Sequence, residues 1–167
     1  MPYATVDDLL QAATGSWADL AQRAALSPLV DADLLAATVA QADRSAWTAP
    51  AQAAADAAVL RMAGALERAS AHADTYLFPR YRTQMPLPPD LVAGSALPAV
   101  VAAIAYKRLY GAAVPDEVRK GCQWADDYLR DISKGVVSLG AVDASVAQAP
   151  GHVVSRVPAK AFDWDGY

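Results

Sequence analysis

The sequence predicts an all-α fold: a small helical bundle with a long helix, a buried apolar helix, an amphipathic C-terminal helix and an extended C-terminal arm. Three observations predict it. Apolar residues recur at steps of three and four through most of the 167 residues. Hydrophobic residues reach 54%, much of it alanine, while aromatics hold 8%, a balance that favours helix and close helix approach over large buried area per residue. Prolines and glycines fall between the periodic segments. The clearest segment runs from Pro115 to Gly135 and reads as one helix. Val118, Cys122, Ala125, Leu129 and Ile132 line one face, Asp116 and Glu117 occupy the first turn, Lys134 the last, and Gly135 can take the left-handed C-cap.

The elements before it follow in order. Thr5 is a good N-cap for a short helix carrying Val6, Leu9, Leu10 and Ala13, with Asp7 and Asp8 in its first turn. Gly15 and Ser16 interrupt it, and Trp17, Leu20, Ala21 and Ala24 continue at helical spacing up to Ser27-Pro28. Asp31 caps a further turn or two with Leu34, Leu35 and Val39, and residues 41–50 have loop character. The longest helix is expected from about Ala51 to Phe78, ended by Pro79, with Val59, Met62, Ala63, Leu66, Ala69, Ala73 and Leu77 on its apolar face. A proline-rich linker of about 79–97 is expected to be a stiff extended crossing. Pro98 then opens an apolar helix, Val100 to Tyr110, hydrophobic on nearly all sides and expected to be the most buried. Residues 1–135 thus form one helical domain and residues 136–167 an arm.

Composition excludes several functions. With 14 basic and 18 acidic side chains the net charge is −4, and no run of Lys or Arg marks a nucleic-acid surface. The longest apolar stretch, Ala96 to Tyr106, is about half the ~20 residues a membrane helix needs, so no membrane contact is expected. The N-terminus lacks the regions of a signal peptide, and the single cysteine forms no intrachain disulfide, which points to the cytoplasm. Cys122 lies on the apolar stripe and reads as a small hydrophobe. His72 and His152 have no ligands at metal spacing, Asp126 and Asp127 diverge by about 100° on their helix, and no phosphate loop or nucleophile elbow is present. No enzyme activity, metal or cofactor is expected.

The opening Met1 to Leu10, the helix end Ala73-Asp74-Thr75-Tyr76-Leu77, Arg80-Tyr81 with Pro86-Leu87-Pro88, the helix Ile104 to Tyr110, the stretch Leu129 to Gly135 with Ser138-Leu139-Gly140, and the finish Ser155-Arg156 with Phe162 to Tyr167 together resemble the Mu-type phage and prophage head-to-tail joining family. The ordered set carries the resemblance, and residues 15–50 contribute little to it. The resemblance implies a small helical protein of the virion neck, made in the bacterial host cytoplasm: a ring, dodecameric by family expectation, joining the portal protein to a tail-terminator or stopper protein. DNA would pass through its lumen without sequence-specific binding.

The residues themselves are compatible with that role. A ring requires head-to-tail contacts between different patches of one subunit, and an arm suits such closure. Val136, Val137 and Leu139 could add a strand to a neighbour's edge, while Arg156, Phe162, Trp164 and Tyr167 are candidate anchors at a subunit or partner interface. The alternatives are an arm folded back on its own helices, or one that orders only on assembly. Arg80, Tyr81 and Arg82 form a local basic-aromatic cluster able to touch DNA phosphate or a partner, or to cap the long helix. Two other functions stay open: a helical adaptor or regulatory module that binds a protein through the arm, and a weak nucleic-acid binder using Arg80, Arg82, Lys107 and Arg108.

Overall fold

Three short helices lead into one long one in the computed structural model, which describes residues 2–140. They are α1 (Val6–Ala12), α2 (Trp17–Ala24), α3 (Ala32–Val39) and α4 (Ala49–Tyr81). A 3-10 turn (Arg82–Gln84), α5 (Pro89–Ala93), α6 (Leu97–Leu109), α7 (Asp116–Gly121) and α8 (Gln123–Lys134) follow, and no strand occurs among the described residues. The fold is all-α, as the periodicity predicts.

The first three helices start where their caps place them. Thr5 and Asp8 form a reciprocal capping box: Asp8 N–H donates to the Thr5 hydroxyl at 3.2 Å, and Thr5 N–H donates to the Asp8 carboxylate at 2.7 Å. Ser16 accepts from Asp19 N–H at 3.2 Å, and Asp31 from Leu34 N–H at 2.7 Å. Each such cap contributes on the order of 1 kcal/mol.

The long helix α4 is the axis of the molecule. Its 33 residues span about 50 Å, and Ala55, Met62, Ala69, Ala73, Leu77 and Tyr81 form a fully buried stripe along it, whereas Ala63, expected on that face, falls one position round the helix from Met62 and is exposed. Against this stripe pack α6 and α8 most extensively, then α3 and α2, with α1 beside α6. Helices α2 and α3 lie along the N-terminal half of α4, where Arg61 donates to the Ala24 carbonyl and Arg44 pairs with Asp56 at 2.5 Å. Helix α8 lies along its C-terminal half. In α6 every residue from Val100 to Ala105 is buried, so the apolar helix is central. Alanine at most of these contacts lets the axes approach closely.

Four boundaries differ from expectation. Helix α4 begins at Ala49, with Pro50 inside its first turn, where a missing N–H costs nothing. It also runs through Pro79 to Tyr81. A proline in the last turn forfeits one backbone bond, and burying Leu77 and Tyr81 together on one face outweighs that loss. The proline-rich linker is not an extended crossing: Pro89 opens α5, and Leu87 and Leu91 insert into the core. Finally, the predicted helix over 115–135 is two helices, broken at Cys122 (φ −98°, ψ −2°). Its apolar stripe holds across the break, since Cys122, Ala125, Leu129 and Ile132 are all buried.

Candidate interaction surfaces

The C-terminal end of α8 is held from another helix. Gly135 closes it with φ +78°, a left-handed conformation that glycine adopts without strain, and Val136 N–H turns back to the Asp131 carbonyl at 2.9 Å. Arg80 of α4 donates to the Ile132 carbonyl at 3.2 Å and to the Val137 carbonyl at 2.8 Å. Its charge sits at the negative end of the α8 dipole. Tyr81 is fully buried, and its hydroxyl accepts from Leu139 N–H at 3.3 Å. Leu139 itself is 1% exposed, and Gly140 passes beside the Gly94 carbonyl.

This arrangement corrects part of the sequence reading. Arg80 and Tyr81, read as able to touch DNA or a partner or to cap the long helix, instead tie the chain after α8 to the end of α4, and only Arg82 of that cluster is exposed. Leu139, expected at a subunit interface, fills the protein's own core, and Val137 is half-buried beside it. The helical domain therefore extends past residue 135 to include Leu139. Val136 stays 73% exposed. The remaining candidates, Arg156, Phe162, Trp164 and Tyr167, lie outside the described residues.

Polar side chains join helices distant in sequence. Tyr3 donates its hydroxyl to the Asp74 carboxylate and its N–H to Ser70 Oγ at 2.9 Å. Tyr106 of α6 donates to Asp19 of α2 at 2.6 Å, with the Tyr110 hydroxyl 2.8 Å away and the Arg23 guanidinium 4.3 Å above the Tyr110 ring. Burial first, then the carboxylate each one faces, holds the Tyr3 and Tyr106 hydroxyls protonated well beyond the ordinary phenol range. Lys107 pairs with Asp126 of α8 at 2.6 Å, and Arg108 donates to the Arg68 carbonyl at 3.2 Å. Of the four cations in the nucleic-acid reading, Arg80, Lys107 and Arg108 are thus engaged within the chain. None of these links has a local sequence signal, because the partners lie far apart along the chain.

Cys122 is buried, and burial pushes its thiol pKa up, away from reactivity. Among the described residues no group of three His, Cys, Asp or Glu side chains could hold a metal ion.

Several large apolar side chains are also open at the surface. Leu26 is 88% exposed and Leu29 54%, at the corner between α2 and α3; Leu60, on the outward face of α4, is 74% exposed. A concavity of about 560 Å³ lies at that corner, lined by Ala21, Ala25, Leu26, Pro28 and Val30. A second, of about 470 Å³, lies between α3 and α4, where the polar Thr38, Gln41, Arg44 and Asp56 line it beside Val59 and Leu60. Phe78 and Val136 are exposed toward the other end of α4, and Trp124 on α8 is 47% exposed. The sequence reading missed the corner, although Leu60 is the one leucine of α4 off its apolar stripe and Leu26 and Leu29 flank a Ser-Pro break.

The fold is thus an all-α domain built on one long helix, with a few polar links between its helices and several large apolar side chains left at its surface. The chain belongs to the family described as Bacteriophage Mu, Gp36, whose family model matches residues 3–157. It is a phage protein. No curated protein and no solved structure matches the chain. Among the described residues no helix is long and apolar enough to cross a membrane.

Proposed function

We propose that the protein is a structural component of the virion neck, a head-to-tail adaptor that forms a ring between the portal vertex and the tail and lets DNA pass. The observation that carries this reading is the family match over residues 3–157, joined to a domain that exposes large apolar side chains on several elements: Leu26 and Leu29 between α2 and α3, Leu60 and Phe78 on α4, Trp124 on α8 and Val136 after it. Apolar side chains exposed on different elements suit a head-to-tail assembly, since its contacts join unlike surfaces. The protein acts by binding rather than catalysis: its partners are further copies of itself, the portal protein and a tail-terminator or stopper protein. Residues 2–48 carry Asp7, Asp8, Asp19, Asp31, Asp33 and Asp43 against Arg23 and Arg44. An acid-rich surface of this kind, turned to the lumen, would repel DNA phosphate and let the duplex slide.

The test is the mass of the full-length protein by light scattering over a concentration series, with and without portal protein. A large discrete ring, alone or with portal, is the expected result. A monomer or dimer indifferent to portal sinks the neck reading and favours a helical adaptor acting elsewhere.

A further inference from the structure

Arginines far apart in the sequence meet on one flank of α4. Arg61 donates to the carbonyl of Ala24, next to Arg23, and the Arg23 guanidinium lies 4.3 Å above the Tyr110 ring. Two residues before Tyr110, Arg108 donates to the Arg68 carbonyl at 3.2 Å. Arg68 folds back over Gly64, its guanidinium 3.3 Å from where a Cβ would stand. Arg61 and Arg68 share one face of α4, about 10 Å apart along it. The charge gathered there is only partly balanced. Asp19 lies 3.5 Å from Arg23 but also takes the Tyr106 hydroxyl, and Asp126 is held by Lys107. Arg61, Arg68 and Arg108 have no carboxylate partner among the described residues, and Glu67 points about 100° away from Arg68 round the helix. The C-terminal ends of α2 and α6 offset part of the charge through their dipoles. The surplus calls for an anionic partner, and the arginine fork suits carboxylate or phosphate.

The opposite flank of α4 carries the complement. Tyr3, just ahead of α1, bonds Ser70 and Asp74. Ser70 follows Arg61 by two and a half helical turns, which puts it about 180° round the helix from that residue. Helix α1 starts on this side, and its charged residues are Asp7 and Asp8, both acidic. Asp8 is used in the cap, while Asp7 is exposed. The long helix stands between this flank and the arginines within one copy. In a head-to-tail ring, unlike surfaces of this kind are what neighbours share.

We infer that the Arg68 and Arg108 flank of one copy receives the Asp7 end of α1 of the next. Arg23 and Arg61, half-buried and anchored, add to the field behind them. Asp31, Asp33 and Asp43 lie outside this contact and remain for the lumen. DNA is the poorer occupant, because the cluster is short and a neck lumen that held phosphate would retard the duplex. The inference rests on the ring proposed above and names a pair of surfaces that builds it.

The test exchanges charges in the full-length protein. Arg68→Glu with Arg108→Glu reverses one flank, and Asp7→Lys with Gln11→Lys reverses the other. All four side chains are exposed, so helicity by circular dichroism stays unchanged. Each double variant alone is expected to need at least tenfold more protein to reach the ring mass in light scattering. An equal mixture of the two restores assembly, because every contact then joins opposite charges, and a chain carrying all four changes does the same. That rescue separates a lost contact from a lost fold. Unimpaired assembly of either double variant, or a mixture that fails to assemble, overturns the contact. So does a ring left intact by the arginine changes while binding to duplex DNA or portal protein is lost, which assigns the cluster to that partner instead. If the wild type still forms a ring in those cases, the neck reading stands without this contact; a wild type monomeric with and without portal removes both.

Discussion

His72 sits half-buried on α4, its ring edge-on to Tyr76 at 5.3 Å. Arg108, Lys107 and Asp126 face it; burial first, then Arg108, lower its pKa from the ordinary 6.5, and Asp126 only partly opposes them. Folding therefore favours the neutral ring, and the unfolded chain takes up the proton first. Stability from this group is intact above pH about 6.5 and declines as the pH falls from there through the lower folded value. Thermal melts across pH 7.5 to 5 are expected to show that decline, and His72→Gln should flatten it; an unchanged slope would mean that His72 is not the group responsible. The sequence excluded a metal role for His72 and left its surroundings open. It could not show the two cations, which arrive on α6 from a distant part of the chain. Cys122 was readable as a core residue because its helical spacing alone puts it on the buried stripe.

Helix breaks were harder to read than helix faces. The apolar stripe from Val118 to Ile132 is continuous in sequence, yet the backbone breaks at Cys122, because packing constrains which side chains point inward and leaves the axis free to bend. Gly121 ends α7 with open space where a Cβ would go and without a left-handed backbone. Gly121→Ala is therefore expected to stabilise the protein by about 0.4–1 kcal/mol, chiefly by restricting the unfolded chain, measurable by urea denaturation. Pro79 and Pro89 show the same limit from the other side. A proline disfavours a helical interior but fits a first turn and survives in a last one, so its effect depends on position within an element whose ends tertiary burial decides. Leu139 is the case with the largest energetic consequence. Outside any helix and after a C-cap glycine, it reads as part of an arm, yet it is fully buried beside Tyr81. Leu139→Ala is expected to cost about 2–5 kcal/mol; a cost under about 1 kcal/mol would show the segment to be loosely held.

At the scale of the molecule, all the packing partners of α4 gather on one side of it, leaving Ala53, Ala57, Leu60, Glu67, Ala71 and Phe78 outward. An acidic, alanine-rich chain with few aromatics buries little area per helix, and the links through Tyr3, Tyr106 and Lys107 supplement that core with hydrogen bonds. The position of Leu139 also sets where the chain can be cut. Truncation after Gly135 removes a core side chain and is expected to lower the melting temperature by several degrees. Truncation after Gly140 keeps Leu139 seated, and is expected to give a helical protein that melts cooperatively and no longer assembles. Loss of helicity after the second cut would place residues 141–167 within the folding unit, and unimpaired assembly would remove their role in the ring.

By itself the sequence determined the helical class, the capped starts of α1 and α3, the buried stripes of α4, α6 and α8, the left-handed Gly135 and the phage family. All of these depend on local spacing, local capping chemistry or the ordered sequence as a whole. Only the tertiary structure decided that Arg80 and Tyr81 hold the segment after α8, that Leu139 is core, that the linker prolines start a helix, and that Leu26, Leu29 and Leu60 are left uncovered. Those outcomes depend on which residues far apart in the chain come to share one volume, and burial there outweighs the local preferences of proline, glycine and charge.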